Sequence, residues 1–134
     1  MTIIVGLVDS PEGRAALDCA VDEARLRGGT LVVVHSSRGG HEDVDDVIAW
    51  RERLEETERR LTDDGIPYCV HDYVRGNSPA DDILQAATDE SAELIVIGLR
   101  HRSPVGKLLL GSTAQEVLLG AECAVLAVKS LRDG

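Results

Sequence analysis

The chain has 134 residues, enough for one domain with its own core and too few for two ordinary ones, so a single domain over 1–134 is expected. Its 24 acidic side chains against 14 basic ones leave a net charge of −10, which argues against a nucleic-acid backbone as the partner. No apolar run approaches membrane-spanning length, and MTIIVGLVD turns acidic too early for a signal peptide, so no membrane partner and a cytoplasmic location are expected.

With one Trp, two Tyr and no Phe, the core falls to Val, Leu, Ile and Ala. Thr2–Val8 is an almost unbroken apolar run rich in β-branched residues, the pattern of a strand covered on both faces. Ser10 then offers a cap and Pro11 a first helical residue whose missing N–H costs nothing. Ala16, Ala20 and Ala24 line one face of that helix, small enough to lie close on a sheet, and Gly28-Gly29 stops it. Leu31–Val34 reads as the second strand, ending at His35-Ser36, and SSRGGHED as a polar connection.

From about Glu42 to Asp64 the spacing predicts the longest helix, with Val44, Val47, Ile48, Leu54 and Leu61 on one stripe. Ten acidic and four basic residues in that segment make its outer face strongly negative. Trp50 reads as a packing or interface residue. Ile66–Val74 is mixed in polarity and predicts a third strand near a sheet edge. Asn77 or Ser78 caps the next helix, which Pro79 begins and whose inward face is Ala80, Ile83, Leu84 and Ala87. Leu94–Ile97 is the fourth strand. A short helix follows with Ala114, Val117 and Leu118 facing in, and Ala124–Val128 is the fifth strand. This alternation predicts a three-layer α/β sandwich: a five-stranded, mostly parallel twisted sheet, right-handed crossovers and helices on both faces. Cys19, Cys69 and Cys123 are dispersed in apolar segments, which suggests buried thiols in a reducing cytoplasm and no disulfide framework.

Ligands gather in such sheets at the carboxyl ends of the strands, here at Asp9-Ser10, at His35-Ser36 and from Gly98 onward. The last of these, GLRHRSPVGKLLLGS, holds Arg100, Arg102 and Lys107 and no acid, in an otherwise acidic chain. A basic, glycine-punctuated loop running into a helix start suits an anionic partner. The spacing of a P-loop fails at both His101 and Leu108, and GLVDSPEG after the first strand lacks the dinucleotide glycines. Gly111-Ser112-Thr113 instead offers amides and two hydroxyls that can hold phosphate oxygens without a lysine.

Gly98, position 101 and Gly111-Ser112 together resemble the G-x2-G-x9-G-[ST] nucleotide loop of the universal stress protein family. The likeness runs through IIVGLVDSP, LVVVHS, LIVIGLRHRSPVGKLLLGSTAQEVL and CAVLAVK, and so covers essentially the whole chain. It implies a fold like that of the adenine-nucleotide alpha-hydrolases and a cytoplasmic protein that binds ATP or AMP as a sensor or regulator in stress response. It further implies Asp9 beside the adenosine, Val33 or Val34 near the adenine, and Gly98, Gly111, Ser112 and Thr113 at ribose and phosphates. Arg100 and Lys107 would add charge for phosphate, and magnesium would accompany ATP. His101 departs from the pattern: it stands where the family's loop has its second glycine, and an imidazole there restricts the backbone's approach to phosphate.

Catalytic residues are not assigned. The chain has no Ser-His-Asp order, no H-x-x-x-H pair and no CxxC, so no metal ligands are assigned either. His71 and Asp72 are adjacent, and strand alternation turns them to opposite faces. His35, at a strand end near the expected pocket, reads as a satisfied structural histidine. A dimeric protein-interaction module with a vestigial pocket is the alternative reading, and a slow ATPase a third. Ala124–Val128 is apolar on both faces and ends the sheet, so a homodimer through this strand is expected, in line with the family resemblance.

Overall fold

The computed structural model describes residues 1–8, 10–37, 44–74, 78–99 and 110–130. Five strands, β1 (Thr2–Gly6), β2 (Thr30–Ser37), β3 (Tyr68–Val74), β4 (Leu94–Leu99) and β5 (Ala124–Lys129), form one sheet in the order β3-β2-β1-β4-β5. Every pairing is parallel, and β1 is central, with Val5 opposite both Val33 of β2 and Val96 of β4. The third strand is an edge, as its mixed polarity predicts, and the fifth is the other.

Among the described residues four helices connect them: α1 (Pro11–Arg27), α2 (Val44–Asp63), α3 (Pro79–Asp89) and α4 (Ser112–Gly120). Alternation divides the core in two. Ile3, Val5, Leu31 and Val33 turn to α1 and α2, whereas Ile4, Val32, Ile95 and Ile97 turn to α3 and α4. Both sheet faces are therefore dry, which is why the central strands read as continuous apolar runs. Within the described residues no helix is long and apolar enough to cross a membrane.

The caps follow the sequence. Ser10 Oγ accepts from the Gly13 amide at 3.0 Å, and Pro11 opens α1. Gly28 closes it in the left-handed region at φ 65°, where its lack of a Cβ avoids strain. Of the two candidate caps for α3, Ser78 does the work, accepting from the Asp81 amide at 3.1 Å; Asn77 lies outside the described residues. Ala16, Ala20 and Ala24 are all buried, so α1 lies flat on the centre of the sheet.

Three expectations need correction. Only Thr57 and Leu61 of α2 are buried, while Val44 and Ile48 are exposed and Leu54 packs only in part. A 20-residue helix is about 30 Å long and outruns the roughly 23 Å of the seven-residue edge strand β3, so its first turns have no sheet to cover. Leu118 is exposed rather than inward, because α4 lies along α3 and the sheet margin and buries only Ala114 and Val117. The three cysteines are half-buried rather than fully enclosed, and all three thiols are free.

Among the described residues, ion pairs tie the acidic outer helix to its neighbour. Arg60 of α2 meets Asp18 of α1 at 2.5 Å, and Arg25 of α1 meets Asp64 just past α2 at 2.6 Å. Both are solvent-exposed, so water screens them and they align the helices more than they stabilise the fold.

Candidate functional site

The strand order reverses at β1: one crossover leads outward to β2, and β4 lies on its other side. The crevice at the carboxyl ends of β1 and β4 is the place where such a sheet leaves room for a ligand. A cleft of about 450 Å³ lies there. Its floor is Gly6-Leu7 of β1 and the following turn, Val34 to Ser36 of β2, and Ile97-Gly98 of β4.

Three helix starts wall the cleft, at Ser10 to Gly13, at Pro79 and at Gly111 to Ala114. They are not equivalent. Ser10 and Ser78 each satisfy a first-turn amide of α1 and α3. Helix α4 has glycine as its cap residue, and among the described residues no side chain closes its amides. The first hydrogen bond of that helix runs from the Gln115 amide to the Gly111 carbonyl at 3.0 Å. The amides of Ser112, Thr113 and Ala114 thus have no acceptor within the helix, beside the positive end of its dipole. Ser112 is the first helical residue and is exposed.

Gly98 has a packing reason that precedes any ligand. A Cβ there would strike the Glu12 carbonyl and come within 3.0 Å of the Glu12 Cβ. Gly13 is held likewise, with Val8 Cβ 2.8 Å from where its own Cβ would be. The two glycines let the first turn of α1 press against β4 and the β1–α1 turn, which draws the cleft wall inward.

The other expected site residues divide in three ways. Gly111, Ser112 and Thr113 come together with Gly98 on the cleft. Of the two valines, Val34 lines it, while Val33 is fully buried on the opposite sheet face among α1 side chains and is corrected to a core residue. Asp9, Arg100, His101, Arg102 and Lys107 lie outside the described residues.

Parallel register adds a constellation that the sequence reading did not assemble. His35 and Asp72 are partners across β2 and β3, and Nδ1 of the imidazole lies 3.0 Å from the carboxylate. The His35 ring also stacks on Trp50 of α2, with centroids 4.1 Å apart and planes tilted by 31°. His35 is therefore a satisfied histidine, as expected, and it lines the cleft as well. His71, on the other face of β3, is directed to Glu90 at 3.6 Å, so the adjacent His71-Asp72 is not a dyad. Counting strand ends could have brought His35 and Asp72 together, had the β2–β3 register been known. Nothing in the sequence marks Trp50 as the residue over that imidazole.

Residues 1–129 match the family model described as the Universal stress protein family. A universal stress protein of Mycolicibacterium smegmatis is 42% identical over 127 residues, covering 95% of this chain and 96% of its own. A universal stress protein structure from Archaeoglobus fulgidus superposes with a TM-score of 0.82 at 40% identity, covering 96% of this chain and 98% of that one. A second structure from that organism, solved in complex with dAMP, is 34% identical with a TM-score of 0.74 over 96% of this chain and 98% of that one.

Proposed function

The chain belongs to the universal stress protein family, and on that premise we propose that it binds an adenine nucleotide, ATP or AMP, in the cleft between β1 and β4. One observation carries the reading: of the three helix starts on the cleft, α4 alone lacks a side-chain cap among the described residues, and it lines the cleft together with Gly98. Bare amides at a helix N-terminus are a phosphate site in search of an anion. The dAMP complex of a relative 34% identical supports an adenine nucleotide as that anion.

In this reading the phosphates lie on the amides of Ser112, Thr113 and Ala114, with both hydroxyls as further donors. Val34 and Ile97 supply apolar surface for the base, and Asp9 the acceptor for the ribose. Arg100 and Lys107 add charge to the phosphates, and magnesium enters with ATP on the nucleotide's own oxygens. The protein is a cytoplasmic sensor or regulator, and a homodimer through β5. Nucleotide turnover is not required.

Calorimetry of nucleotide-stripped protein with ATP, AMP and cyclic AMP tests this. Binding of at least one, weakened by Gly111→Val and by Asp9→Ala, is expected. Silence from all three at millimolar concentration would leave the interaction-module reading, with nucleotide-independent partner capture as its own positive result. Tighter ATP binding by His101→Gly would show that the imidazole crowds the loop.

A further inference from the structure

We propose that Cys69, His71 and Glu90 form a second ligand site, for a zinc-class transition-metal dication, apart from the nucleotide cleft. Cys69 and His71 are two apart on β3, so both turn to the sheet face covered by α3. Glu90 is the C-cap residue of α3 and closes the triangle. One donor atom from each of the three, a sulfur, a nitrogen and an oxygen, lie within 4.8 Å of one another.

The donor chemistry selects the ion. A thiolate with an imidazole and one carboxylate favours zinc and its neighbours over magnesium or calcium, which want oxygen. Tetrahedral zinc bonds of about 2.0–2.3 Å put ligand atoms roughly 3.3–3.8 Å apart, so small side-chain rotations close the cluster. His71 Nε2 is already 3.6 Å from the Glu90 carboxylate. The His71 and Glu90 side chains keep 27% and 35% of their surface, which leaves access for the ion and for a water in the fourth position.

Two independent features suit a cation here. Tyr73 Oη lies 3.4 Å from His71 Nδ1, where it can accept the N–H of an imidazole whose Nε2 is on a metal. That contact holds the ring and its tautomer. The local field is also negative: this is the carboxyl end of α3, its last turn has no basic residue, and Asp89 adjoins Glu90 there. The cluster is at the far end of α3 from Pro79, the residue of that helix start on the cleft. A bound ion would pin edge strand β3 to α3.

The test uses full-length protein freed of metal by a chelator. Zinc is titrated against a chromophoric chelator, and cobalt is added separately for its spectrum. One zinc per chain and a cobalt spectrum with tetrahedral intensity and a thiolate charge-transfer band are expected, with no response to magnesium. Cys69→Ser should abolish the thiolate band. Glu90→Gln and His71→Gln should each lower zinc affinity by about tenfold or more, and Tyr73→Phe by about tenfold. Glu90 is at a helix end, so Glu90→Gln decides the matter even if Cys69→Ser does not fold. No thiolate band in the wild type, or wild-type zinc affinity in Glu90→Gln and His71→Gln, would overturn the site. Nucleotide calorimetry on the same variants is expected to be unchanged, so failure here leaves the cleft reading untouched.

Discussion

The imidazole of His35 stacks on the indole of Trp50 at 4.1 Å while its Nδ1 is held by Asp72 at 3.0 Å. This single side chain therefore joins the wall of the cleft to the long acidic helix. Trp50 is the chain's one tryptophan. Its emission should change when a nucleotide enters the cleft and displaces or orders His35. The same titration with His35→Ala should lose most of that signal while calorimetry still records binding. Unchanged emission on saturating a cleft that binds by calorimetry would show that the stack does not sense the ligand.

Gly98→Ala is expected to destabilise the fold by about 1–3 kcal/mol, at the upper end because the obstructing Glu12 carbonyl is backbone and cannot rotate away. Urea unfolding would measure it. Gly111→Val provides the contrast, since it should alter nucleotide affinity more than stability. A Gly98→Ala protein as stable as the parent would mean that α1 can retreat from β4.

Helix α2 should be anchored at its end and not at its start. Leu61 is fully buried, and Leu61→Ala is expected to cost about 2–5 kcal/mol. Ile48 is half exposed, and Ile48→Ala should fall within about 0.5 kcal/mol of the parent. Equal losses from the two, in the same denaturant series, would contradict the packing described.

Alkaline pH should weaken the fold. Burial pushes the thiols of Cys19, Cys69 and Cys123 above their ordinary 9.0, with Glu23 adding to the shift at Cys19 and Glu90 at Cys69. The Tyr73 phenol is raised in the same sense, by burial first and then by Asp89. Each group is neutral while protonated. Its stabilising contribution is fully present below the unfolded-state pKa and is lost as pH rises through the higher folded-state value. Urea midpoints should therefore fall above about pH 9, and thiol labelling at neutral pH should be slow until the chain unfolds. Rapid labelling of native protein would place the thiols in a different environment.

Strand β5 is a sheet edge with β4 on one side only, and Ala124, Ala127 and Lys129 along it are exposed. Its open backbone groups favour closed pairing with a second copy. Light scattering over a dilution series should find a dimer at tens of micromolar, and Val125→Lys should shift it towards monomer. A monomeric parent, or a variant with undiminished dimer affinity, would rule out this interface.

Much of the fold was legible because its causes are local. A dry parallel sheet demands runs such as Ile3–Val5 and Leu31–Val34, and Ser10, Pro11, Gly28 and Ser78 act within a turn of where they stand. The layout of Gly98 and Gly111-Ser112 was legible for the same reason, as spacing along one loop and its flanks. What the sequence could not decide depends on how far apart elements come to rest. Whether α2 is covered along its whole stripe depends on the length of β3 beneath it, not on its own periodicity. Val33 and Val34 are equally apolar, and only the pleat decides which of them sees the cleft. The pairing of His35 with Asp72, and the meeting of Cys69 and His71 with Glu90, arise from parallel register and from where α3 ends. Residues remote in the chain leave no periodic trace of such contacts, so tertiary structure alone could bring them together.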